Sequence, residues 1–152
     1  MTIATHIPRG QWVSKNPDET FKVGEEIGAL LTGGEIILLN GPLGAGKTVL
    51  VKGLASALGI DPDEATSPSF TLVNPYEGRL TLFHIDFYRL DEGASAAHAV
   101  DLEELLSDEQ AVIVMEWAHR LRGYRLPDTV WQIDIKGDGD EARVISVSHP
   151  ED

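Results

Sequence analysis

The 152 residues carry 25 acidic against 12 basic side chains, a formal net charge of −13, and no cysteine. The missing cysteine excludes disulfides, thiol catalysis and thiolate zinc sites and suits a reducing cytoplasm. The acidity opposes direct binding of a polyanion. The length suits one domain over residues 1–152 that buries its own core. No apolar run is long enough for a membrane span, so a cytoplasmic, membrane-free protein is expected.

In chain order, Pro17, Asp18 and Glu19 after Asn16 signal a helix start, and Phe21, Gly24, Ile27 or Gly28, and Leu31 recur at helical spacing until Gly33-Gly34. Glu35 to Asn40 is a nearly continuous apolar run that reads as a strand buried on both faces. GPLGAGKT follows at Gly41 to Thr48, fitting G-x-x-x-x-G-K-[ST]. In that pattern glycines allow close approach of phosphate to backbone N–H groups, Lys47 faces the β- and γ-phosphates, and Thr48 offers a hydroxyl to Mg²⁺. Gly41, Leu43, Gly44, Ala45, Gly46, Lys47, Thr48 and Val49 are the expected nucleotide contacts. A helix from Lys47 to Leu58, with Val51, Leu54, Ala55 and Leu58 inward, sets the phosphates at a helix N-terminus.

Residues 60–69 read as a proline-punctuated loop. Phe70 to Asn74 and Arg79 to Asp86 read as a hairpin, with Pro75-Tyr76-Glu77-Gly78 as its turn. The second of these strands ends in Asp86, where phosphate-loop enzymes often place a magnesium-side acid. His84 lies on the same strand face and reads as a hydrogen-bonded neighbour. After a helix over 94–107, Ala111 to Trp117 forms another buried strand whose carboxylate, Glu116, is aimed at the same sheet edge. Arg120, Arg122 and Arg125 form a basic cluster, and Thr129 to Ile135 with Glu141 to Val147 form a terminal hairpin. The fold class is thus α/β, a P-loop NTPase three-layer sandwich whose mixed sheet has a parallel core and antiparallel hairpins at its flanks.

Lys47, Asp86 and Glu116 together make a candidate catalytic set, with Thr48 and Asp86 as the metal shell and Glu116 to orient or deprotonate the attacking water. No Asn-Lys-x-Asp reads guanine, so ATP with Mg²⁺ is the expected pair. The phosphate loop, Ser67-Pro68-Ser69-Phe70-Thr71, His84-Ile85-Asp86-Phe87-Tyr88-Arg89-Leu90 and Glu116-Trp117 together resemble the bacterial TsaE (YjeE) family from about Glu19 to Arg143. The resemblance implies an ATPase that works with TsaB and TsaD in the threonylcarbamoyl modification of tRNA adenosine 37, meeting tRNA only through that complex. It also implies that Glu116 serves the metal together with Thr48 and Asp86, and it implies a functional Trp117, a switch-like Ser69, and Thr20 and Arg143 near the nucleotide base. Ser69 replaces a common Thr, Val49 a frequent second Thr, and His119 a common acid. A small P-loop kinase closed by the three arginines, or a nucleotide-gated binding module, is the alternative.

Overall fold

The computed structural model describes residues 10–42, 45–61, 63, 73–86, 102–116, 130–137 and 139–148. The elements among them are β1 (Gly10–Ser14), α1 (Pro17–Ala29), β2 (Ile36–Asn40), α2 (Lys47–Ala57), β3 (Val73–Glu77), β4 (Thr81–Asp86), α3 (Leu102–Leu106), β5 (Ala111–Glu116), β6 (Trp131–Lys136) and β7 (Arg143–Ser148). All the strands join one sheet in the order β1-β7-β6-β2-β5-β4-β3. The four central strands β6, β2, β5 and β4 run parallel. Strands β3, β7 and β1 add antiparallel flanks. This is the expected mixed sheet with a parallel core.

Because β2 has β5 on one side and β6 on the other, the chain reverses its direction of travel across the sheet there. Ligand crevices of open α/β sheets form at such a point, beyond the carboxyl ends of the strands. On one sheet face Ile37, Leu39, Val112, Val114, Ile133 and Ile135 pack with Val23 and Ile27 of α1 and Leu50, Val51 and Leu54 of α2. On the other face Ile36, Ile85, Ile113 and Met115 are also buried, while Gln132 and Lys136 of β6 are exposed.

Helix α1 starts where Asn16 Oδ1 accepts from the Glu19 backbone N–H at 2.9 Å, with Pro17 just inside the helix. The Arg79 guanidinium, from the turn before β4, donates to the Gly28 and Leu31 carbonyls at 2.8 Å each, closing the other end. Helices α1 and α2 cross almost backbone to backbone. A Cβ at Gly28 would stand 2.6 Å from the Leu54 carbonyl oxygen, and one at Gly53 would collide with the Phe21 carbonyl. That contact fixes α1, and Thr20 on it, against the start of α2.

Three sequence readings need correction. β1 was not anticipated. It pairs with β7, more than a hundred residues distant, and its Val13 is 62% exposed, so no local burial pattern marks it. The hairpin turn lies at Gly78–Leu80, and Pro75 and Tyr76 sit inside β3 opposite Phe83 and Leu82. A proline is tolerated there because β3 is an edge strand. Phe21 is only partly buried, and Thr20 and Val23 take the inward positions. Residues 70–72, 94–101 and 120–125 lie outside the described residues.

Candidate functional site

The loop leaves β2 at Gly41 and re-enters regular structure at Lys47, the first residue of α2. Gly46 caps that helix in the left-handed region (φ 104°) and, as a glycine, makes no side-chain cap bond of its own. A helix start with a glycine cap is of the kind that suits an anion. A Cβ at Gly41 would lie 3.0 Å from the Ile135 carbonyl oxygen, so the loop base also needs glycine to pass β6.

Across from the helix start, the ends of β4 and β5 are in register: Asp86 is opposite Glu116, and His84 is opposite Val114. In a parallel pair such partners share a face, so His84, Asp86 and Glu116 all project to the side where α2 lies. Lys47 Nζ stands 3.6 Å from Glu116 Oε1, and His84 Nε2 stands 2.5 Å from Glu116 Oε2. All three side chains are buried, His84 completely, while Asp86 beside them is half-buried. Burial alone would raise the Glu116 carboxyl, but the hydrogen bond and charge of His84 and the Lys47 ammonium outweigh it and hold the group below its ordinary value. Glu116 is therefore an ionised carboxylate in a nearly dry place.

On the other side of Gly46 a cavity of about 380 Å³ opens, lined by Asn16, Thr20, Ala45, Val49, Glu141 and Arg143 among others. Its volume falls within the range of about 300–1,000 Å³ usual for small-molecule sites. Thr20 Oγ1 and Ser14 Oγ are 2.6 Å apart, which ties α1 to β1 in its wall. Arg143 donates from Nε to the Ala45 carbonyl at 3.1 Å and from Nη2 to the Gly139 carbonyl at 3.2 Å. It thereby staples the β6–β7 turn to the loop between β2 and α2 at Ala45.

The structure thus brings Lys47, Asp86 and Glu116 together, with Thr48 next in the chain on α2. Thr20, Ala45, Gly46, Val49 and Arg143 gather at the adjoining cavity, and Gly41 sits at the loop base. Leu43, Gly44, Ser69, Trp117 and His119 lie outside the described residues. Sequence reasoning did not join His84 to Glu116, 32 residues away. Nor did it pick out Ser14, Asn16 and Glu141 as cavity wall. The shared parity of His84 and Asp86 was the available signal for the first.

A family model described as "Threonylcarbamoyl adenosine biosynthesis protein TsaE" matches residues 14–145, which contain every element of this site. The chain belongs to the TsaE family. Among curated TsaE relatives, the tRNA threonylcarbamoyladenosine biosynthesis protein TsaE of Treponema pallidum (strain Nichols) is 40% identical over 140 residues, covering 90% of this chain and 98% of the relative. The TsaE protein of Bacillus subtilis (strain 168) is 38% identical over 141 residues, covering 90% and 83%. The crystal structure of Bacillus subtilis YdiB superposes with a TM-score of 0.69 at 32% identity, covering 95% of this chain and 87% of that one. TsaE membership thus spans the cavity, the loop and both acidic strand ends at once.

Proposed function

We propose that this TsaE-family protein is a Mg²⁺-dependent ATP hydrolase that serves tRNA threonylcarbamoyladenosine biosynthesis in the cytoplasm through a TsaB–TsaD partner complex. The observation that carries the reading is the buried Glu116 carboxylate, ionised and held opposite Lys47 at a glycine-capped helix N-terminus. In it the first turn of α2 and Lys47 bind the phosphates, and the cavity beside Gly46 takes the nucleoside with Thr20 and Arg143 in its wall. Glu116 Oε1, once Lys47 has turned to phosphate, orients the attacking water.

The residues present suit a magnesium ion. The available donors are the Thr48 hydroxyl and the Asp86 and Glu116 carboxylates, hard oxygens of the kind Mg²⁺ prefers. No cluster of three or more acid, His or Cys groups that could hold a metal exists among the described residues. That also fits, since Mg²⁺ commonly takes one or two carboxylates and completes its shell with phosphate and water. When bound, the ion neutralises charge on the phosphate oxygens.

The net charge of −13 supports contact with tRNA through partner proteins rather than directly. The reading is tested in cells that lack their own TsaE, by mass-spectrometric measurement of threonylcarbamoyladenosine in tRNA. The wild-type chain should restore the modification, while Lys47→Ala and Glu116→Ala should not. Restoration by both variants would sink the proposal.

A further inference from the structure

The Glu116 carboxylate is gripped at both oxygens, and the two grips differ in kind. Oε2 is held by the ring of His84, which is fully buried and fixed by the β4–β5 register. Oε1 is held by Lys47 at 3.6 Å, a loose ion pair at the end of a flexible four-carbon stem. A carboxylate only accepts, so the hydrogen of the short contact sits on His84 Nε2. His84 Nδ1, also buried, finds no hydrogen-bond partner among the described residues.

We propose that His84 is the positioning residue of Glu116: it retains Oε2 while a nucleotide draws Lys47 from Oε1 to its phosphates, so that one oxygen in a fixed place faces the reaction. This rests on the reading of Glu116 as the group that serves hydrolysis. Without His84, a carboxylate that has lost Lys47 turns toward solvent or follows the ammonium. With it, the exchange of Lys47 frees Oε1 and moves nothing else. His84 itself touches neither phosphate nor water.

The test uses His84→Leu, which removes the donor, His84→Gln, whose amide nitrogen reaches the place of Nε2, and His84→Asn, whose amide is too short. In nucleotide-free crystal structures that also carry Lys47→Ala, so that Oε1 has lost its partner, Glu116 should keep its position in the Gln variant and leave it in the Leu and Asn variants. In ATP turnover, the Leu and Asn variants should lose about 10–100-fold in kcat, as supporting hydrogen bonds around metal sites commonly do. The Gln variant should recover most of kcat. If His84→Leu does not fold, the contrast between Gln and Asn decides. An unmoved Glu116 in the Leu or Asn variant, or a Gln variant no better than Asn, overturns the proposal. If wild-type turnover does not exceed that of Lys47→Ala, the ATPase reading fails instead, and the crystal structures still decide the position of Glu116.

Discussion

In the nucleotide-free protein the Lys47 ammonium is already engaged, and any phosphate must compete with Glu116 for it. Two unit charges at 3.6 Å attract by about 4.6 kcal/mol at an effective dielectric constant of about 20. Much of this is offset, since the ammonium exchanges one anion for another and the carboxylate keeps His84. Glu116→Gln removes the competing charge and its repulsion of phosphate while keeping the size of the side chain. We expect the variant to bind ADP about 1–2 kcal/mol more tightly, about 5–30-fold. The assay is calorimetric titration with ADP in the presence of a chelator, so that loss of a metal-side carboxylate does not enter. Equal or weaker binding by the folded variant would refute the view that Lys47 is held in reserve by Glu116.

Gly53→Ala should destabilise the fold by about 1–3 kcal/mol in urea unfolding, because its Cβ meets the Phe21 backbone and α1 must move. Arg79→Ala should cost about 1.5–3 kcal/mol, through the loss of charge-assisted bonds to the Gly28 and Leu31 carbonyls, measured in the same way. The Glu116 carboxyl is held below its ordinary value of 4.5, so its ionised form contributes stability that is fully present above about pH 4.5 and is lost as pH falls through the lower folded value. Unfolding of wild type and Glu116→Gln from about pH 7 to about pH 3 should therefore show the wild type losing more stability as acid is added. Parallel curves would contradict the assigned environment.

The part of the fold legible in the sequence is the part governed by neighbours in the chain. β2, the loop and α2 are contiguous, and their apolar run, glycines and helical spacing point to the same structure. β5 was legible because all six of its residues are buried, leaving an unbroken apolar stretch before Glu116. β1 escaped because an edge strand needs no strong pattern of its own, and what fixes it is pairing to a distant β7. Tyr76 was misread because Pro-Tyr-Glu-Gly is good turn chemistry, yet burial of Tyr76 against the core favours the strand. At the site, residue types and strand ends could be read, and the aiming of Asp86 and Glu116 at one edge followed from a parallel sheet. The His84–Glu116 bond depends on which faces β4 and β5 share, and the staple from Arg143 to Ala45 spans 98 residues. The second leaves no local trace, and the first leaves only the shared parity of His84 and Asp86.

The account turns on ATP hydrolysis that needs Lys47 and Glu116. Its most direct test is phosphate release from ATP and Mg²⁺ by the wild type, Lys47→Ala and Glu116→Ala, each alone and with TsaB and TsaD. The wild type should turn over slowly alone and at least as fast with its partners. Both variants should fall to background while Glu116→Ala still binds ATP. Phosphate release by either variant at the wild-type rate would contradict the account.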